Sequence, residues 1–364
     1  MKKIGVVGCG NISGIYLSNI GTRFTNIQIA GICDLIREKA ENRSREFGGL
    51  RIYRDMYEIF ADPEVDIVLN ITRPYDHYGV TKAALLAGKS VYSEKPLATE
   101  IEDARELVAL AKEKGLTLGG APDTFMGAGI QTARRLIDEG AIGRPVGATA
   151  HFLGHGPENW HPDPEFFYKR GGGPMLDMGP YYITALVNLL GKADWVTAFG
   201  SISFPERLIT SEPHNGERVK VEVDTFTAGA IRFASGAVAS FTASFDSYTD
   251  FSEYIEIFGE RGSLRVPDPN TFGGPVRLLT PGKGYEEIPL DRGFTGNGRS
   301  LGLSDMASAM EEGRMHRANY MQQLHVLDIM TAFERSSRAN APVEITSPFE
   351  RQPAVDPDKI CGTY

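Results

Sequence analysis

Cysteine is scarce in this chain: three in 364 residues, Cys9, Cys33 and Cys361, with no pair at CxxC spacing. That excludes a disulfide framework and a cysteine-rich zinc site, and it fits a reducing cytoplasm. Long apolar runs are missing too. No stretch approaches the ~18 apolar residues of a membrane-spanning helix. Met1-Lys2-Lys3 is a basic start, but the apolar run after it, Ile4–Gly8, falls short of the roughly 7–15 residues of a signal-peptide core. The first residues therefore read as a strand of a cytoplasmic protein. Basic charge is in deficit, with 38 Lys and Arg against 47 Asp and Glu and a net charge of −9. Nucleic acid and anionic membranes are poor partners for such a chain. A small anionic ligand needs local dipoles or cations to hold it. Internal repeats and low-complexity segments are absent. What is there is ordinary globular material, 41% hydrophobic and 23% charged, in a length that suits about two domains, each with its own core.

The first half alternates strands and helices. Ile4-Gly5-Val6-Val7 is a short apolar strand that runs into Gly8-Cys9-Gly10-Asn11-Ile12-Ser13, then a helical stretch through Tyr16, Leu17 and Ile20. Strand, glycine turn and helix make a dinucleotide fingerprint, with Ser13 in the third small position. Gly8 permits the tight turn and Gly10 lets the backbone approach a pyrophosphate. Asn11, Ile12 and Ser13 open the helix whose N-terminus receives it. A second strand, Ile27–Cys33, ends in Asp34. That residue lies about 24 positions beyond Gly10, near the ~20 expected for a carboxylate on the cofactor ribose. It also suits the N-cap of a helix starting at Leu35. A carboxylate there repels a 2′-phosphate and favours NAD over NADP; Arg37, one turn on, keeps NADP possible.

Further strands are expected at 51–53, 65–70, 90–93 and 116–119. Helices are expected at 55–60, 75–87 and 100–114, the last two closed by Gly88 and Gly115. This alternation predicts a doubly wound parallel sheet, whose ligands bind outside the carboxyl ends of the strands. Two stretches fall on that edge. In Thr72-Arg73-Pro74-Tyr75-Asp76-His77, the residues Thr72, Arg73 and Pro74 are candidate cofactor contacts, and His77 either touches cofactor or, as its position favours, caps a helix turn or packs. In Ser93-Glu94-Lys95-Pro96, the proline cannot donate to a sheet and biases Lys95 towards extended backbone. The strand should stop there, with Lys95 projecting from its end, either as a catalytic group or as a salt-bridged surface lysine.

The second half has a different rhythm. A helical segment over 123–139 is followed by a strand over 146–153 and a loop with two histidines and a tryptophan, His155, Trp160 and His161. Such a loop is a candidate substrate lid, and the two histidines lack a carboxylate at ligand spacing to make a metal site. Pro180 suits the first turn of a helix that ends at Gly191, and Asp177 and Tyr181, four apart, can share one face at its start. Asp177 is either a functional carboxylate or simply the N-cap. Long alternating strands are then expected at 195–204, 221–233, 237–247 and 254–258, with hairpin turns at Ser235-Gly236 and 260–262. Residues 267–284 read as loop, 304–311 and 319–336 as helices with Leu324, Leu327, Ile329 and Met330 in the core, and 342–345 as a last strand.

Taken together, GVVGCGNIS, GICD, TRPYDHY and EKPLA resemble the Gfo/Idh/MocA family of NAD(P)-dependent oxidoreductases, whose signature is Glu94-Lys95-Pro96. The resemblance implies a Rossmann domain at 1–122, an α+β substrate-binding and oligomerisation domain with a large, mostly antiparallel open-faced sheet at 123–345, and a tail at 346–364. It implies that Lys95 is the active-site lysine and that Glu94, Lys95 and Pro96 line the nicotinamide pocket. Asp177-Met178-Gly179-Pro180-Tyr181 is similar to the Asp-x-Gly-x-Tyr form found in glucose–fructose oxidoreductase-type members. In that form Tyr181 is the general acid/base and Asp177 its orienting partner. The chain departs from the family at Arg73-Pro74-Tyr75 and at Pro122-Asp123-Thr124-Phe125, which should alter cofactor and substrate contacts, Asp123 among the latter.

Hydride transfer needs a group that takes the hydroxyl proton. A tyrosine serves when a neighbouring ammonium favours its phenolate. The expectation is that Tyr181 exchanges the proton, Lys95 assists it and binds the reacting oxygen, Asp177 anchors ring hydroxyls, and Glu94 positions Lys95. The substrate is then a sugar, sugar derivative, glycoside or cyclic polyol, and the open sheet face makes a homodimer or homotetramer. Two alternatives are a redox-neutral glycoside-processing enzyme that recycles bound NAD and, less favoured because Lys95 is present, a non-catalytic nucleotide sensor.

Overall fold

Short apolar strands and helices alternate through the first 120 residues in a computed structural model of the chain, which describes residues 1–250, 254–290 and 293–362. The order is β1 (Lys2–Val7), α1 (Ser13–Thr22), β2 (Ile27–Cys33), α2 (Arg37–Glu46), α3 (Met56–Ala61), β3 (Ile67–Asn70), α4 (His77–Leu86), β4 (Ser90–Ser93), α5 (Ile101–Glu113) and β5 (Leu118–Gly120). The five strands form one parallel sheet in the order β2-β1-β3-β4-β5. Ile4, Val6, Ile67, Leu69, Val91, Tyr92 and Leu118 are buried in it. Strands covered on both faces read as near-continuous apolar runs, which is why they were visible in the sequence. Residues 51–53, expected as a strand, make only an isolated bridge from Ile52 to Ile32. The chain turns at once into α3, which Asp55 caps by accepting from the Glu58 N–H.

The chain continues with α6 (Ala128–Asp138), β6 (Pro145–Leu153), α7 (Gly173–Asp177), α8 (Gly179–Leu190), β7 (Ala193–Ser201), β8 (Glu206–Leu208), β9 (Arg218–Lys220), β10 (Phe226–Phe233), β11 (Val238–Ser244), β12 (Ile255–Gly259), β13 (Ser263–Val266), β14 (Val276–Thr280) and β15 (Gly284–Ile288). It ends with α9 (Leu301–Glu312), α10 (Tyr320–Ala339) and β16 (Val343–Glu344). Nine strands make one sheet, β15-β14-β13-β12-β6-β11-β10-β7-β16, in which only the β11–β6 pair is parallel. One face packs on α8, where Tyr182, Ile183 and Leu186 are fully buried, and the aromatic stack of Tyr182 on Phe241 closes at 5.6 Å between ring centroids. Residues 267–284, expected as loop, contain β14. Its five residues lie between Pro275 and Pro281, too short a run to stand out among the surrounding prolines and glycines.

The chain forms two compact units. The first is Met1–Gly127, Arg292–Leu324 and Gln352–Tyr364; the second is Ala128–Asp291 and His325–Arg351. The expected uninterrupted second domain at 123–345 and separate tail at 346–364 are therefore revised. Residues 293–324 return to the parallel-sheet unit, where polar side chains tie them down. Asn19 donates to the Asn297 and Arg299 carbonyls, Asn26 to the Ser304 carbonyl, and Gln323 to the Gly120 carbonyl. No helix among the described residues is long and apolar enough to cross a membrane.

Candidate active site

At the carboxyl end of β1, Gly8 has φ of 109°, and a Cβ there would lie 2.6 Å from the Ile71 carbonyl oxygen, so only glycine fits. A Cβ on Gly10 would meet nothing within 4 Å. The turn thus leaves open space before its backbone, at the N-terminus of α1, where a pyrophosphate would lie. Asn11 and Ile12 follow in this turn, and Ser13 closes it, donating its hydroxyl to the Gly10 carbonyl at 2.6 Å. Arg43 of α2 reaches the same turn, donating to Ser13 Oγ at 2.9 Å and to the Gly10 carbonyl at 3.2 Å. Sequence reasoning missed Arg43 and chose Arg37, whose exposed guanidinium pairs with Glu41 instead.

Asp34 accepts from the Cys9 N–H at 2.7 Å through Oδ2 and from the Ile36 N–H at 2.8 Å through Oδ1. It is not the N-cap of α2, which begins at Arg37 after Ile36. One lone pair on each oxygen remains beyond these bonds, as a pair of ribose hydroxyls requires. The turn, the helix N-terminus and this carboxylate fit the adenosine half of NAD; a 2′-phosphate would meet like charge. Burial pushes the neighbouring Cys9 and Cys33 thiols up to about 12, so neither is a nucleophile at neutral pH.

On the same edge, β4 ends at Ser93 and gives way to Glu94-Lys95-Pro96, with a cis Lys95–Pro96 bond. Glu94 is buried. Its Oε1 accepts from the Tyr16 hydroxyl at 2.7 Å and its Oε2 from the Lys95 N–H at 2.9 Å, while its own N–H donates to the Asn70 carbonyl at 2.7 Å. His77 is 1% exposed, with Nδ1 2.7 Å from the Pro96 carbonyl and Nε2 3.1 Å from the Thr72 carbonyl. Both ring nitrogens face backbone carbonyls, and no side-chain hydrogen bond caps α4. Thr72 donates its hydroxyl to Asn70 Oδ1 at 2.7 Å, Arg73 pairs with the Tyr75 hydroxyl at 2.7 Å, and Pro74 opens a short 3₁₀ turn. Tyr16 and Asn70 escaped the sequence reading, because a helix aromatic and a strand-end amide look like ordinary core.

Asp123 is 1% exposed, and its Oδ2 accepts from the Ser300 and Gly302 N–H groups, both at 3.0 Å. It was expected to touch substrate; it instead anchors the start of α9 inside the first unit. Burial pushes its carboxyl up to about 6.

In the second unit, Asp177 closes α7 and Met178 alone separates it from α8. Asp177 is therefore the last residue of one helix rather than the N-cap of the next, because the Met178 N–H bonds back to the Pro174 carbonyl at 3.0 Å. Tyr181 is buried in the first turn of α8 and Asp177 is half-buried. The loop after β6 is held by charge. Arg207 of the β8–β9 hairpin donates to Glu158 Oε1 at 2.8 Å and 2.5 Å and to Asp246 Oδ1 at 2.7 Å. Glu158 also accepts from the Tyr168 hydroxyl, and Asp246 from the Thr225 hydroxyl. On this clamped loop His155 stacks on Tyr248 at 3.6 Å, His161 Nδ1 accepts from the Asp163 N–H at 3.0 Å, and Trp160 is 66% exposed.

Residues 2–120 match the family described as "Oxidoreductase family, NAD-binding Rossmann fold", and residues 130–265 match "GFO/IDH/MocA C-terminal domain". The chain is 30% identical to 1,5-anhydro-D-fructose reductase from Ensifer adhaerens, over 80% of this chain and 84% of that protein. It is 24% identical to scyllo-inositol 2-dehydrogenase (NAD(+)) from Bacillus subtilis (strain 168), over 93% and 95%. Among solved structures, levoglucosan dehydrogenase in complex with NADH and L-sorbose has a TM-score of 0.83 at 22% identity, over 95% of this chain and 99% of that one, a likeness of fold. With both halves matched and the glycine turn, Asp34 and Glu94-Lys95-Pro96 gathered on one edge of a parallel sheet, the chain belongs to the Gfo/Idh/MocA family of oxidoreductases.

Proposed function

We propose that the protein transfers a hydride between NAD(H) and a CH–OH or carbonyl carbon of a sugar, sugar derivative, glycoside or cyclic polyol. The observation that carries this reading is Glu94-Lys95-Pro96 at the end of β4, on the edge where Gly8–Ser13 and Asp34 fit a dinucleotide. The names of the relatives, an anhydrofructose reductase and an inositol dehydrogenase, support the substrate class. When bound, NAD supplies the hydride acceptor. Lys95 donates from its ammonium to the reacting oxygen. Tyr181 exchanges the hydroxyl proton, and Asp177 accepts from other hydroxyls of the substrate. Trp160 offers an indole face to the apolar side of a sugar ring, with His155 and His161 on the same loop as further polar contacts. The outward face of the nine-stranded sheet, where Phe199 (69% exposed), Phe226 and Val238 lie, is the homo-oligomer surface in this reading.

The test is a panel of sugars, anhydrosugars, glycosides and inositols offered with NAD and, separately, NADP, with NADH or NADPH formation measured. The reading expects stoichiometric NADH with a cyclic polyol or sugar and a preference for NAD. Cleavage or epimerisation of a glycoside without net NADH would replace it with the redox-neutral alternative.

A further inference from the structure

We infer that His77 is a positioning residue for Lys95, an inference that rests on the reading of Lys95 as the active-site lysine. The His77 ring has a carbonyl on each side, Pro96 at 2.7 Å from Nδ1 and Thr72 at 3.1 Å from Nε2. A neutral imidazole carries one N–H. Two acceptors compete for it, and the shorter contact takes it, so Nδ1–H donates to the Pro96 carbonyl. The charged groups near the ring are Glu94, which favours the imidazolium, and Lys95, which opposes it; burial outweighs both and holds His77 neutral at neutral pH.

This bond completes a brace around Lys95. On the N-terminal side the Lys95 N–H is held by Glu94, and Glu94 by Tyr16 of the fingerprint helix. On the C-terminal side the Pro96 carbonyl is held by His77 at the first residue of α4. His77 is fixed in turn by Asn70 at the end of β3. The Asn70 side chain is fully buried and donates to the His77 carbonyl at 3.1 Å and to Thr81 Oγ1 at 3.0 Å, while its oxygen accepts from the Thr72 hydroxyl. The backbone on both sides of Lys95 is thus tied to different elements, and the direction in which its side chain leaves the backbone is set by those ties. Misplacing a reacting group by about 1 Å costs up to ~10²-fold in rate. His77 therefore acts on turnover through the aim of Lys95, without touching substrate.

Three substitutions in the full chain separate this role from simple packing. His77→Asn places an amide N–H where Nδ1 stands and keeps the bond to Pro96. His77→Gln carries its donor out towards Thr72, and His77→Leu carries none. Each is measured for melting temperature, for NADH affinity by fluorescence titration, and for kcat on the best substrate of the panel, beside Lys95→Met. The expected result is kcat within about threefold of wild type for His77→Asn and a loss of about tenfold or more for His77→Gln and His77→Leu, with NADH affinity changed by less than about threefold throughout. Equal kcat in the three variants overturns the inference. So does a loss confined to melting temperature or NADH affinity, or failure of both His77→Gln and His77→Leu to fold. If Lys95→Met keeps turnover, the reading of Lys95 itself fails; if Lys95→Met is inactive while all three His77 variants match wild type, only the positioning role fails.

Discussion

The Asp34 carboxylate is fixed by two backbone donors, Cys9 and Ile36, and in the proposed function it holds the cofactor ribose and repels a 2′-phosphate. Asp34→Ser removes the acceptor for the ribose hydroxyls and the charge that repels a 2′-phosphate. NAD affinity should fall by about tenfold, the worth of a hydrogen bond to a charged group, and the preference of kcat/KM for NAD over NADP should narrow by at least as much. An unchanged preference would mean that Asp34 serves only the Cys9 and Ile36 amides. At this scale the sequence was legible where chemistry is local. Gly8, Gly10, Asp34 and Lys95 sit in short strings whose spacing carries the meaning. Arg43, Tyr16 and Asn70 were not legible. Arg43 meets Ser13 across 30 residues of sequence and Tyr16 meets Glu94 across 78, and no local pattern encodes such pairings. Asp123 misled for the same reason, since its partners lie 177 and 179 residues on.

Between elements, buried charge sets the pH response. Asp123 holds its proton more tightly in the folded state, up to about 6, than an unfolded aspartate with its pKa of ~3.9. Its contribution to stability is therefore greatest below about pH 4 and declines as pH rises to about 6. His325 works in the opposite sense. Its Nε2 accepts from the Ala193 N–H, so Nδ1 carries the proton and donates to Ser347, and burial lowers it to about 4. Its contribution is full above the unfolded value of ~6.5 and is lost as pH falls to about 4. Asp123→Asn keeps an acceptor for the Ser300 and Gly302 amides but no longer titrates. Its melting temperature relative to wild type should rise as pH climbs from about 4 to 7; a difference independent of pH would contradict this. Arg207 is a separate case. Arg207→Met leaves Glu158 and Asp246 buried without their cation and should cost about 3–5 kcal/mol in denaturant unfolding. The exposed Arg144–Glu260 pair is worth less than about 1 kcal/mol. Equal costs for the two pairs would refute the clamp. Element types were mostly legible from apolar periodicity, whereas the α7–α8 break at Met178 was hidden, because a single non-helical junction leaves the 3.6-residue pattern almost intact.

At the scale of the whole molecule, the chain does not divide at one point. The first unit takes back residues 293–324 between β15 and the last strand of the nine-stranded sheet, β16, with Phe294 stacked on Phe24 at 5.7 Å between centroids and the Asn19, Asn26 and Asp123 side chains bonded to that segment. Residues 1–122 alone therefore lack their cover, although they contain the complete fingerprint. Expressed by themselves they should lack a cooperative melting transition and bind a hydrophobic dye, while the whole chain melts cooperatively. A stable, NAD-binding 1–122 fragment would show that the returning segment is dispensable. This interleaving was illegible because composition shifts mark only consecutive segments, and the ties are single amides and carboxylates scattered through otherwise ordinary loops.

In the proposed function Lys95 and Tyr181 carry the chemistry, while the glycine turn and Asp34 carry the cofactor. Steady-state turnover of Lys95→Met and Tyr181→Phe on the best substrate, measured beside their NADH affinity, separates the two. Turnover should fall by about 10²-fold or more in each variant, the scale of a lost general acid or base, with NADH bound within about threefold of wild type. Near-normal kcat in either variant would contradict it.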